Sequence, residues 1–566
     1  MTRPTIQLIK FIFLALIVSA CATMVPPQGG PRDEDPPEVV ETEPPNKSVN
    51  IDSRQVRITF NEFVTLSDIQ NQVLISPPVK DKPMFQLRGK TLVFDIPENL
   101  RSNTTYNIYF GNSIKDLNEG NEIDNYTYTF STGPYLDSLQ LKGRAQKALS
   151  EETEAGWVIM LYKENRDSLP MKEMPYYISK TDENGYFHLQ NLAPGNYKVF
   201  GLDDQNKNYL YDPNSEAIAF KDTLVEPFKP VNLPDSIQND SLLRDSINVD
   251  SIRSTLQPQN LNLRFFDEVD TIQKNVESKA LNPFVYQFIF KYPTQNLNID
   301  PEQSLKFKKK LSADNDTLTL YFKKPITDSL FFVLSDDYYS YSDSIWVKPA
   351  QKPDNKTLIN SNVTDGSLPF YQDIIFSTKI PFNRFKKEKL HVMEKHDSLP
   401  DTIPVQFKYK DSSLKTTLKG SYKWDPDKKY VININPGAFT LLNDFQNDTL
   451  KYEFNIKSNE NYGNIIFHLE NTTPTTNYII QLTDTEENVL REVQKKNPET
   501  IHFKNLTPQN YRIRIIEDRN NNGQWDTGIY LQGIQPEKSW FFHKNFNIRA
   551  NWDIEESMDL KDINNQ

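Results

Sequence analysis

The chain has 566 residues, with 64 Lys plus Arg against 76 Asp plus Glu and a formal net charge of −12. That length is beyond what one hydrophobic core organises, so several domains are expected. An acidic chain without a basic run argues against nucleic acid as a partner.

Aromatic residues make up 12%, mostly Tyr and Phe. Together with many Thr, Val and Ile, and with no long 3.6-period apolar stripe, they predict an all-β chain. Turn signals recur about every eight to twelve residues, the spacing of tandem β-sandwiches.

Residues 1–20 read as a signal peptide: Arg3 and Lys10 are positive, Phe11–Val18 is apolar, and Ser19 and Ala20 are small. The apolar run is too short to cross a membrane, which takes about 20 residues. Cys21 is the only cysteine, so the chain has no thiol pair for a disulfide. Val18-Ser19-Ala20-Cys21 resembles a bacterial lipobox, and the resemblance implies that Cys21 is lipidated and anchors the chain to a membrane. The other reading is an ordinary secretory signal with an incidental Cys. Residues 21–35 are rich in Pro, Gly and charge and are expected to form a tether. The acidic run Asp33-Glu34-Asp35 lies twelve residues beyond Cys21, which leaves the face of the outer membrane open.

Residues 36–134 alternate as strands at Val56–Phe60, Leu92–Pro97, Thr105–Phe110 and Tyr126–Phe130. Pro36-Pro37, Phe60–Val64, Thr105–Ile108, Asp116–Gly120 and Phe130-Ser131-Thr132-Gly133 resemble the signature of bacterial Ig-like domains of S-layer and surface proteins. The resemblance implies a β-sandwich without catalytic residues.

Residues 135–230 contain the first copy of an internal repeat. Phe187–Asp212 aligns without a gap to Ile501–Asp526 at an offset of 314, with ten of 26 positions identical. Asp182, Gly185, Phe187, Leu189, Leu192, Pro194, Gly195 and Tyr197 resemble the carboxypeptidase-regulatory, transthyretin-like family of seven-stranded sandwiches, which despite its name is not a peptidase. His188 and His502 occupy matching strand positions and read as strand residues rather than metal ligands. The loop after each copy carries oxygen side chains at alternate positions: Asp204, Asn206, Asn208 and Asp212, then Asp518, Asn520, Asn522 and Asp526. Such a set suits a structural Ca²⁺ ion. It equally suits an Asx-turn loop in which Asp and Asn bond the backbone. Ser215 and Ile529 stand where an EF-hand has its Glu.

Residues 231–259 are expected to be a low-complexity linker, with an Asp-Ser-aliphatic triplet every five residues at Ser236, Ser241, Ser246 and Ser251. The Asp-[Ser/Thr]-aliphatic triplet also centres on Ser138, Ser168, Thr223, Thr271, Thr317, Ser329, Ser344, Ser398, Thr402 and Thr449. It resembles the O-glycosylation acceptor of one group of Gram-negative bacteria. The alternative is turn chemistry between strands.

Residues 260–365 are expected to form a sandwich of no named family, 366–458 a second Ig-like domain, and 459–566 a second transthyretin-like domain. An Ig-like plus transthyretin-like unit is then duplicated. No G-x-S-x-G, H-E-x-x-H, P-loop or G-x-G-x-x-G after a strand occurs.

The expectation is a non-catalytic, lipid-anchored scaffold of the outer membrane that resembles Gram-negative (Bacteroidetes-type) envelope lipoproteins. Its partner is an outer-membrane protein complex or a cell-surface glycan. An adhesin-like alternative would use Trp157, Trp346 or Trp540 for sugar stacking. If the linker serines carry glycans, the intact mass of natively produced protein will exceed polypeptide plus lipid by several identical sugar units. A mass equal to polypeptide plus lipid rejects the modification.

Overall fold

The computed structural model describes residues 33–230 and 261–561, apart from 82, 97–99, 124, 214, 269–271, 302–304, 313–314, 351–358, 396–400 and 427. Cys21, the four linker serines, Thr271 and Ser398 lie outside the described residues. The fold is nearly all β, and no described helix is long and apolar enough to cross a membrane. Strands form where β-branched and aromatic residues alternate with polar ones, because successive side chains face opposite sides. In Gln55–Phe60, for example, Val56, Ile58 and Phe60 are buried while Gln55 and Arg57 are exposed.

The first module contains β1 Val39–Glu43, β2 Gln55–Phe60, β3 Val64–Leu66, β4 Leu74–Ser76, β5 Met84–Arg88, β6 Thr91–Asp95, β7 Thr105–Tyr109, β8 Ile114–Asp116 and β9 Thr127–Ser131. Its sheets run β1-β2-β6-β5 and β4-β7-β9, with β3-β8 as a short ribbon. Without the ribbon this is the ABED/CFG order of the immunoglobulin constant-type sandwich. Ile58, Phe94, Ile108, Phe110 and Tyr128 form the centre of its core. The Asp116 carboxylate closes the following loop by accepting backbone N–H bonds from Asn118, Glu119, Gly120 and Asn121 at 2.6–2.9 Å. Burial alone would push its pKa up. The four donors outweigh burial and hold Asp116 below the usual carboxylate range.

The second module has β10 Leu139–Lys147, β11 Val158–Tyr162, β12 Tyr177–Lys180, β13 Tyr186–Leu192, β14 Lys198–Leu202, β15 Ile218–Phe220 and β16 Leu261–Phe265. Its sheets run β13-β10-β16 and β12-β11-β14-β15. The third has β17 Asn275–Asn282, β18 Val285–Phe290, β19 Leu297–Pro301, β20 Phe307–Leu311, β21 Thr317–Phe322, β22 Leu330–Asp336 and β23 Tyr341–Val347. The orders β17-β18-β21-β20 and β19-β22-β23 are again ABED and CFG. The region without a family signature therefore has the strand order of the first module.

The fourth module comprises β24 Ile359–Ser361, β25 Ser367–Pro369, β26 Ile374–Thr378, β27 Phe382–Phe385, β28 Leu390–Glu394, β29 Asp401–Thr402, β30 Gln406–Tyr409, β31 Thr417–Ser421, β32 Lys429–Ile434, β33 Phe439–Leu441 and β34 Leu450–Lys457. Its order β24-β26-β31-β30 repeats ABED. The run β28-β32-β34 repeats CFG with β29 and β25 added at the edges, and β27-β33 repeats the ribbon. The fifth comprises β35 Gly463–Glu470, β36 Asn477–Thr483, β37 Val489–Lys496, β38 Thr500–Leu506, β39 Asn510–Asp518, β40 Ser539–Phe541, β41 Phe546–Asn547 and β42 Asp553–Asp559. Its orders β38-β35-β42 and β37-β36-β39-β40 match the second module strand for strand, with β41 added beside β39. Contacts divide the chain into two compact units. One holds Met1–Ala145, Thr153–Asp212 and Ile218–Leu263, and the other holds Gln146–Glu152, Pro213–Ala217 and Arg264–Gln566.

One difference from the sequence reading bears on function. Leu261–Phe265, expected at the start of the third sandwich, closes a sheet of the second. Upstream of the linker, Phe228 and Gln140 on β10 exchange backbone hydrogen bonds at 2.9 and 3.0 Å. Downstream, Leu261 lies so close to β10 that a Cβ on Gly143 would meet its carbonyl oxygen at 2.0 Å. Phe228 and Leu261, on either side of the expected linker, thus both lie against β10. Pairing with β10 is non-local, so composition could not reveal it.

A specific protease site inserted at residue 245 tests this. After cleavage the two fragments are expected to co-elute in native buffer and to part only in denaturant, because the second fragment carries β16. Gly143→Val, which forces side-chain atoms onto Leu261, should weaken that association by about 1–3 kcal/mol. Fragments that elute apart without denaturant would show that β16 does not hold them together.

Candidate functional site

The repeat accounts for most of its identities by what they do for the backbone. Asn191 and Asn505 both have φ of 56°. Each sits where β13 or β38 carries one residue more than its partner strand, a bulge that needs a left-handed residue. The Tyr197 hydroxyl donates to the Ala193 carbonyl at 2.8 Å, and Tyr511 donates to Thr507 at 2.9 Å. Both hold the turn through Pro194 or Pro508 against the next strand.

The two acidic loops share most of their hydrogen bonds. Asp204 accepts the N–H of Asn208 and of Tyr209, both at 3.0 Å. Asp518 accepts those of Asn522 and Gly523 at 3.1 and 3.0 Å. The Asn206 amide donates to Asp212 at 2.6 Å, and Asn520 does the same to Asp526 at 2.6 Å. The Asn208 and Asn522 side chains accept the N–H groups of Leu210 and Gln524. The residues in each loop's fourth and sixth places are left-handed: Lys207 and Tyr209 at 61° and 60°, Asn521 and Gly523 at 60° and 78°. Tyr209 therefore takes, in the first copy, the conformation for which the second supplies Gly.

Sequence reading missed a further carboxylate in each loop. Glu216 and Glu537 are each 3% exposed. Each lies two residues before the strand that ends its loop, β15 or β40. Glu537 accepts the N–H of Arg519 at 2.6 Å and of Asp526 at 3.2 Å. Burial pushes Glu537 up; those two bonds oppose the shift, and the nearby Asp526 and Asp518 charges add to it. The second copy has seven more residues between its last loop Asp and this Glu, which breaks the 314 offset and hid the match. Counting back from the following strand would have found it.

The donor types suit a hard cation. In this geometry, however, both oxygens of Asp518 and of Glu537 are engaged by backbone N–H groups. Among the described residues no group of three or more His, Cys, Asp or Glu is placed to hold a metal ion. His188 bonds Gln140 and Gln190 on the strand face, and His502 is exposed. An open polar recess of about 450 Å³ beside His468 is lined by Glu470, Asn471, Thr472, Asn497 and Glu499. The imidazole there is already bonded through both nitrogens, to Thr500 and Glu555.

Of the triplet hydroxyls, Ser138, Thr223, Ser344, Thr402 and Thr449 are exposed, whereas Ser168, Thr317 and Ser329 are half-buried. The following Leu169, Leu318 and Leu330 are 2–3% exposed. Leu139, Thr317, Leu330 and Leu450 begin β10, β21, β22 and β34. Strand alternation after a turn therefore supplies an aliphatic third residue by itself. Among the candidate platforms, Trp157 and Trp540 are buried at 2% and 5% exposure, and Trp346 is 66% exposed.

Residues 33–132 match a family model described as a bacterial Ig-like domain. No curated protein matches the chain. Among solved structures, the S-layer protein rSbsC(31-844) is 12% identical, covering 90% of this chain and 67% of that one at a TM-score of 0.14. The major pilin subunit BcpA of Bacillus cereus is also 12% identical, covering 75% and 99% at 0.15. The Bacillus anthracis TIE protein is 10% identical, covering 94% and 76% at 0.14. Likenesses this weak say nothing about what the chain does.

Asp518→Ala removes, at a buried position, the carboxylate that accepts two backbone N–H groups, and should lower stability by about 1–3 kcal/mol. Thermal melts of the full chain, with exchange rates of the 519–526 amides, measure it. The same melts with and without EGTA separate the two readings of the loop, since an ion bound only to the folded state stabilises it by mass action. A wild-type shift that Asp518→Ala abolishes assigns calcium, and coincident curves assign Asx turns alone.

Proposed function

We propose that the chain is a non-catalytic envelope lipoprotein, anchored to the outer membrane through Cys21, whose tandem β-sandwiches scaffold a membrane protein complex. The observation that carries this reading is the duplication itself. Three modules share one strand order and two share another. The residues repeated between copies are largely spent on a bulge, a tyrosine-held turn and an Asx loop, which is what an array of framework units needs. The second and fifth modules are proposed to be transthyretin-like, in keeping with the motif around Asp182–Tyr197. The lipobox resemblance supplies the anchor.

A second reading, a cell-surface carbohydrate-binding or adhesin-like protein, is favoured by the exposure of Trp346. Under the first reading, Cys21→Ser moves the chain from the membrane fraction to the soluble fraction. The wild type then co-purifies from detergent extracts with a β-barrel protein at fixed stoichiometry. Recovery alone from mild detergent, with full cleavage by protease on intact cells, would reject the scaffold reading in favour of the second.

A further inference from the structure

We infer that the outer face of the β22–β23 hairpin in the third module binds a neutral glycan; this rests on the carbohydrate-binding reading above and gives it a site. In β22, Leu330, Phe332 and Leu334 point into the core, so Phe331 and Val333 point out. Register places Phe331 opposite Trp346, Val333 opposite Ser344 and Ser335 opposite Ser342. The outward face thus runs from an aromatic pair, past Val333, to a set of serine hydroxyls.

Trp346 is 66% exposed, and its ring centroid lies 5.1 Å from that of Phe331 at 51°. Phe331 props the indole from one side and leaves the rest of it open. The two strands pair with each other over their whole length above a packed core, so the platform is preorganised. Strand rise of about 3.4 Å per residue puts Ser342 about 14 Å from Trp346, room for a short run of sugar rings. At the hairpin end Tyr338 is 67% exposed and edge-on to Tyr339 at 4.8 Å.

The chemistry selects the ligand class. A flat exposed ring takes the C–H face of a pyranose, and nearby hydroxyls exchange hydrogen bonds with its OH groups. The outward positions of the two paired strands hold no Lys or Arg, so a phosphate, sulfate or uronate would find no counter-charge there. The apolar part is broken by serines, unlike the continuous patch that a buried protein interface presents.

Native affinity gels test the site, using full-length chain made without glycosylation so that Ser344 is bare. The gels contain dextran, mannan or xyloglucan, with polygalacturonate as the anionic control. The wild type is expected to be retarded by at least one neutral polysaccharide. Trp346→Ala should need at least about tenfold more polysaccharide for the same retardation. Trp346→Phe keeps most of the effect, and Trp552→Ala, at an exposed Trp of the fifth module, changes nothing. Unchanged circular dichroism shows that the variants fold. Retardation equal in wild type and Trp346→Ala overturns this site and leaves the carbohydrate reading standing. No retardation in any neutral gel overturns both, and retardation by polygalacturonate alone overturns the ligand class.

Discussion

The loops of this molecule depend on carboxylates that accept several backbone N–H groups at once. Asp116, Asp204, Asp484 and Asp518 each do so for the turn that follows them, and Asp336 does so for Gln295, Asn296 and Tyr338. A β-sandwich has many connections, and every N–H that leaves a ladder there needs another acceptor. The chain has only 18 glycines, well below the usual ~7%. Among the described residues, left-handed backbone falls on 20 non-glycine residues, ten of them Asn. Asp and Asn thus supply both the acceptors and the unusual dihedrals.

That constraint reframes the repeat. Alternating Asp and Asn in two matching loops looks like a ligand set in sequence, and it is also the set that satisfies a tight loop's own donors. The structure shows those bonds made in both copies. Position six shows how far the second demand can bend local preference. Gly523 meets it freely, whereas Tyr209 adopts the same left-handed backbone despite its bulk.

Much of the fold was legible. The alternation at Val56–Phe60, Thr105–Phe110 and Tyr126–Phe130 predicts strands, and strands stand there. The offset of 314 announced two matching modules, and their strand orders agree. Less of the candidate site was legible. Trp157, Trp346 and Trp540 are alike in sequence as aromatic residues near strands, yet only Trp346 of the three faces outward. Its exposure follows from which face of β23 the core of the third module covers. Glu216 and Glu537 escaped notice because an insertion shifts one copy against the other.

The sequence by itself determined the β class, the duplicated modules and the turn chemistry, because these arise from side-chain period, local backbone preference and short-range hydrogen bonds. Only the tertiary structure decided that the region after the linker repeats the immunoglobulin strand order, and that Leu261–Phe265 joins β10 of the second module rather than the third. Strand partners are chosen by burial against a distant sheet, and no local signal in a β-strand says which strand it will join.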